Sequence, residues 1–206
     1  MKTPVRYLAI LTLGFLSIAG CMAKRAYVPI SQQSLKGSGK IYFVPLGDFS
    51  PATVQDLVNY YQKKYGMAIE VLPSVRLDPA AIDTERQQLV AEAAVESMKR
   101  ANPNLVDNPA AILIGLTDED MYIAQYDWQF TFSWRQERKY AVVSNARMSL
   151  GATVVPAEKL ASRLRKMVTK NLGVLYFHLP QSDDPRSVLY KNVGGISELD
   201  YMGEEF

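Results

Sequence analysis

The sequence predicts an α/β fold: a single domain with a mixed, mostly parallel sheet, an antiparallel aromatic edge strand and packed helices. Three observations predict it. A strand, a helix and a second strand follow one another between Lys40 and Leu72, a length that fits a right-handed crossover joining parallel strands. Ala111 to Leu116 is a short unbroken apolar run, the signature of a strand buried on both faces. After it, Tyr126, Trp128, Phe130, Phe132 and Trp134 alternate with polar residues, and Tyr140 to Ser144 is apolar again, with a hairpin-like turn over Arg135 to Lys139 between them.

Residues 1–20 form an export signal rather than part of the fold. Lys2 and Arg6 make a basic front, and Tyr7 to Ile18 an apolar core. That core is shorter than the about 20 residues that a bilayer span needs. The signal ends Ile18-Ala19-Gly20-Cys21, which resembles a bacterial lipobox, and Cys21 is the one cysteine of the chain. A lone cysteine in an exported protein has no internal disulfide partner, and lipidation (palmitate) at Cys21 accounts for it. Such a lipid places the protein in the bacterial cell envelope, anchored to membrane. Met22 after the cysteine, where Asp would act as a retention signal, favours the outer membrane of a Gram-negative source. Residues 21–39, with Ser31-Gln32-Gln33-Ser34 and Gly37-Ser38-Gly39, lack apolar periodicity and read as a flexible tether. Residues 40–206 are the domain.

Within it, Lys40 to Leu46 is the first strand. Ser50 as N-cap, Pro51 at the first helical position and Gly66 beyond the last turn bound a helix. Met67 to Leu72 is the second strand, stopped by Pro73. Thr84 with Gln87 has capping-box spacing and predicts a helix carrying Leu89, Val90, Ala93, Ala94 and Met98 on one side, to about Ala101. Pro156-Ala157-Glu158 opens the last long helix, with Leu160, Leu164, Met167, Val168, Leu172 and Leu175 at helical spacing.

Charge excludes one class of partner. Residues 1–20 hold two of the 23 basic and none of the 21 acidic residues, so 21 of each remain after signal removal. A neutral chain has no electrostatic basis for binding nucleic acid.

Several residues bear chemistry. Asp118, Glu119 and Asp120 close the buried strand; they fit a cap or turn, paired carboxylates for acid–base work, or hard ligands for a divalent cation. His178, the one histidine, follows the last helix and fits a hydrogen bond at the helix end or a catalytic or metal role. Lys159, Arg163, Lys166 and Lys170 form a cationic stripe, either a solvated face or a contact with anionic lipid or cell-wall polymer.

In order along the chain, these pieces resemble the archaemetzincins, small zinc metallopeptidases with a mixed-sheet, metzincin-like fold. Leu116-Thr117-Asp118-Glu119-Asp120-Met121-Tyr122 is similar to the family's T-D-x-D-L-Y, and Gln129 to Phe132 to its N-F-V-F. Ala141 to Ser144 is similar to its A-V-I-S, Arg147 to a following arginine, and Ile196 to Asp200 to a segment near its C-terminus. The family's zinc motif, H-E-x-x-H-x-x-G-x-x-H, pairs two histidines one helical turn apart with a glutamate general base. Aligning Leu172-Gly173 with the family's L-G puts Lys170 and Val174 at the first two histidines and Asn171 at the glutamate. Phe177 then replaces the glycine and Pro180 the third histidine; another register places His178 at the third ligand, with Val168 and Leu172 as the other two. With one histidine in the chain, no register supplies three. Ser187-Val188-Leu189 stands where the family's cysteine-bearing C-V-M would hold a second zinc.

The resemblance therefore implies a pseudo-peptidase without a metal or other cofactor, serving as a binding or scaffolding module in the envelope. In metzincins the edge strand borders the cleft and pairs with extended substrate, so Tyr126, Trp128, Phe130, Phe132 and Trp134 are the candidate peptide-binding residues, with ordinary core aromatics as the other reading. Two alternatives stand beside it. One is an active metal-dependent peptidase or hydrolase, with zinc or another metal, whose site is rebuilt from Asp118, Asp120, Lys170 and His178. The other is a purely structural lipoprotein whose cleft is filled by Tyr176 and Phe177.

Overall fold

The computed structural model describes residues 27–151 and 154–206; the export signal and Cys21 lie outside the described residues. The elements in chain order are β1 (Lys40–Pro45), α1 (Pro51–Tyr65), β2 (Ile69–Val71), β3 (Ile82–Asp83), β4 (Gln88–Val90), α2 (Ala91–Ala101), α3 (Pro103–Val106), β5 (Ala111–Thr117), β6 (Met121–Tyr122), β7 (Ser133–Gln136), β8 (Tyr140–Ser144), α4 (Ala157–Leu175) and α5 (Ile196–Tyr201). The main sheet runs β2-β1-β5-β8-β7. Its first four strands are parallel, and β7 is antiparallel to β8 at the edge. A smaller sheet, β3-β4-β6, flanks it. No helix among the described residues is long and apolar enough to cross a membrane.

Alternation along the strands divides the core into two layers. Ile41, Phe43, Ile112, Ile114, Ala141 and Val143 face α1 and α4, meeting Leu57, Tyr61, Leu164, Val168 and Leu172. Tyr42, Val44, Leu113, Tyr140 and Val142 face α2, meeting Ala94, Val95 and Met98. All seven residues of β5 are buried, as befits a central parallel strand covered on both sides.

Local chemistry sets the element ends. Ser50 accepts a hydrogen bond from the Thr53 N–H at 3.3 Å, Pro51 occupies the first turn, and Gly66 closes α1 at φ 64°. The β7–β8 hairpin turns through Glu137 and Arg138, both at positive φ. The expected capping box at Thr84 does not form. Asp83 instead accepts from the N–H groups of Glu85 and Arg86, a turn follows, and Leu89 and Val90 belong to β4. The helix therefore starts at Ala91, beyond the positions that local spacing suggested.

Candidate functional site

In the sheet order, β7 lies at the end with a single neighbour, β8, so its outer edge is unpaired among the described residues. Beside that edge lies a cleft of about 720 Å³. One wall is residues 127–135; the other is Met167 and Lys170 of α4 with Gln181 and residues 191–194 of the C-terminal segment.

The aromatic segment differs from the single extended strand that its alternation predicts. Only Ser133 to Gln136 is strand, and the rings scatter. Phe132 is buried in the α4-side layer, Trp134 packs into the α2-side layer, and Phe130 is half-buried beneath the Arg147 guanidinium. Tyr126 and Trp128 stack on each other at 4.7 Å and stand 43% and 54% exposed. Side chains hold the segment where a ladder was expected. Arg86 donates to the carbonyls of Trp128 (2.8 Å) and Gln129 (3.0 Å), and Gln88 donates to the latter at 2.9 Å. With its carbonyls already engaged, this stretch has no need of a neighbouring strand. Gln129, Phe130 and Phe132 still line the cleft, with Trp128 and Trp134.

The cationic stripe of α4 is also not what its sequence suggests. Arg163, Lys166 and Lys170 are all buried, so the stripe is neither a solvated face nor free for lipid. Arg163 forms two 2.7 Å bonds to the Asp200 carboxylate, which Lys159 joins at 2.8 Å. Lys166 donates to the carbonyls of Leu199 and Asp200. These three cations fasten α5 to α4, and Arg163 with Lys159 holds the Asp200 carboxyl far below the usual carboxylate range.

Lys170 is different. It is 4% exposed and lines the cleft, and burial, with Arg135 nearby, pushes its ammonium down to about 8. Arg135 also lines the cleft, and burial lowers its pKa as well. Strand alternation places Arg135 on the sheet face opposite Trp134, toward α4, where it donates to Asn171 Oδ1 at 3.0 Å. Asn171 in turn donates to the Met167 carbonyl at 2.7 Å. Neither Lys170 nor Arg135 has a carboxylate within ion-pair distance among the described residues. Sequence reasoning singled out Lys170 but missed Arg135, whose signal was its place one residue after an inward-facing tryptophan.

The remaining candidates sit elsewhere. Asp120 is engaged by Arg147 through two bonds of 2.8 and 2.6 Å and by Gln88 at 2.9 Å, and these partners outweigh burial in lowering its pKa. His178, exposed and at φ 55°, bonds Ser38 Oγ through Nε2 at 2.6 Å. Tyr176 and Phe177 pack on each other, Phe177 against Phe206, outside the cleft wall. Asp118 is exposed, and neither it, Asp120 nor His178 lines the cleft with Lys170.

Three solved structures share this fold. The archaemetzincin of Archaeoglobus fulgidus, complexed with malonate, superposes with a TM-score of 0.65 at 21% identity, covering 81% of this chain and 94% of its own. The archaemetzincin of Methanopyrus kandleri gives 0.62 at 22% identity, with 81% and 89% covered. The fold is the archaemetzincin fold. A zinc-dependent peptidase of Methanocorpusculum labreanum gives 0.64 at 17% identity, with 80% and 95% covered. No family model and no curated protein matches the chain.

The archaemetzincin resemblance puts Lys170 and Val174 of α4 at the first two zinc histidines and Asn171 at the glutamate general base. In this structure they are an ammonium in the cleft, an amide committed to Arg135 and Met167, and an alkyl group packed toward Val188 and Leu189. No three His, Cys, Asp or Glu side chains gather as a metal site among the described residues. Two neighbouring cations repel a dication, so the donor set present here does not fit zinc.

Proposed function

We propose that this is a lipid-anchored envelope protein in which a metallopeptidase-like fold has lost its zinc site and serves as a binding module for an extended peptide or another envelope component. The observation that supports this reading most is the open cleft along the free edge of β7, lined by Lys170, which the archaemetzincin resemblance sets at a ligand position. A free strand edge offers backbone donors and acceptors to an added strand, and adjacent pockets take its side chains. Two of the α4 positions at issue are committed to packing or to hydrogen bonds within the fold, leaving the cleft able to bind without hydrolysing.

Metal analysis of the purified mature chain, alongside a general peptidase assay, tests the loss of zinc. Metal well below one per chain and no chelator-sensitive activity are expected; about one zinc per chain with chelator-sensitive hydrolysis overturns the reading. Cys21→Ala tests the anchor, and the variant should remain unprocessed or leave the membrane fraction. A signal-cleaved variant still sedimenting with membrane overturns lipidation.

A further inference from the structure

We propose that Lys170 and Arg135 together form a carboxylate-binding site in the cleft, which takes the C-terminal carboxylate of a peptide lying along β7. This rests on the peptide-binding reading above and adds the group that is recognised.

Lys170 is nine-tenths buried or more, lines the cleft, and has no hydrogen-bond or ion-pair partner among the described residues. A buried ammonium without an acceptor is unfavourable, and an anion entering the cleft removes that cost. Arg135 gives one N–H to Asn171 and keeps its other donors. A guanidinium fork beside a point-like ammonium matches a planar carboxylate. Lys191, the third cation of the cleft, is already matched by Asp183 at 2.5 Å. Phe130, Phe132 and Met167 supply apolar wall next to the charged pair, which suits a peptide end better than a fully hydrated inorganic anion.

Burial and Arg135 set the pH response of Lys170. The titratable groups around it are Arg135 from β7, Asp127 from the preceding loop, and Lys191 with Asp183 from the C-terminal segment; Lys166 lies one turn back on α4, bonded to the carbonyls around α5. Its ammonium, held near 8 without ligand, loses its proton as pH rises. Carboxylate affinity is therefore level below that value and falls above it.

Equilibrium dialysis of the mature chain against a pool of N-acetylated random hexapeptides, with free or amidated C-termini, and against malonate, tests this. Free-acid peptides should be retained at least about tenfold better than amides, as expected of one charge-assisted bond. Lys170→Met and Arg135→Gln should each remove that preference, and raising the pH from 7 to 10 should weaken retention of the acids. Equal retention of acids and amides overturns the carboxylate site and leaves the peptide reading standing. Retention of malonate alone, dependent on Lys170, supports the anion site with a free small acid as its source and overturns the peptide terminus. Malonate retained equally by Lys170→Met, or no retention of any probe, overturns the site.

Discussion

Arg135 on the edge strand donates to Asn171 Oδ1 on α4 at 3.0 Å, and so ties the rim of the cleft to the helix that carries Lys170. Asn171 is fully buried and also donates to Met167. Asn171→Leu leaves both partners without that amide. A loss of about 1–3 kcal/mol is expected, the cost of unsatisfied buried groups, read from the midpoint of urea unfolding. An unchanged midpoint would show that the amide carries no structural load.

Lys170 should cost stability at neutral pH. Its folded-state pKa, about 8, lies below the ordinary value of 10.5, so the folded state disfavours the charged form. Below pH 8 the ammonium is charged whether folded or not, and the full penalty applies. It disappears as pH rises through 8 to 10.5. From the shift the penalty is about 3 kcal/mol. Lys170→Met should therefore raise the melting temperature at pH 7, by less at pH 10. A variant that is less stable at pH 7 contradicts this account.

Asp200→Asn should expose the dependence of α5 on α4. Arg163 keeps only 4% side-chain exposure and would lose its counter-charge. A loss of about 3 kcal/mol is expected, the low end for breaking a buried pair, because Asp200 itself is 30% exposed. The pH dependence has a definite sign. The Asp200 carboxyl is depressed in the folded state, so its contribution is present above the unfolded carboxylate range near 4 and is lost as pH falls below it. Acid titration of wild type and Asp200→Asn, followed by circular dichroism, should converge at low pH.

Gly173→Ala sets two effects against each other. Alanine favours the interior of a helix by about 1 kcal/mol. Here its Cβ would stand 2.6 Å from both Leu189 and Phe206, so the C-terminal segment must shift. Overpacking of about 1–3 kcal/mol wins or at least cancels the gain. A variant more stable than wild type in thermal melts would mean that the segment yields freely.

The scattered rings make a paired prediction. Phe132→Ala, at 3% exposure, should cost about 3–5 kcal/mol. Trp128→Ala, at 54%, should stay within about 0.5 kcal/mol. Similar losses at both positions would restore a single aromatic face.

Where the chain states its geometry locally, the fold was legible. Ser50, Pro51 and Gly66 mark α1 by chemistry acting within a few residues, and the unbroken apolar run of β5 admits little but a buried strand. Alternation misled at Tyr126 to Trp134 because Arg86 and Gln88, some 40 positions earlier, hold the backbone out of the ladder. The helix stripe misled because α5, outside the helix's own sequence, supplies Asp200. Lys170 could be singled out from resemblance, but the partner that gives it company, Arg135, became visible only once β7 and α4 were brought together.

Residues near the N-terminus rest on the body of the protein. Ile30 and Leu35 pack with Val188, Leu189 and Phe206, and Ser38 bonds both the Tyr176 carbonyl and His178. With a lipid at Cys21, as proposed, residues 21–29 precede Ile30, the first of these packed residues. Nine residues reach at most about 30 Å at full extension. With that lipid in place the leash would be short, and the cleft would sample a thin layer next to the bilayer, open to partners that live there and closed to those farther away.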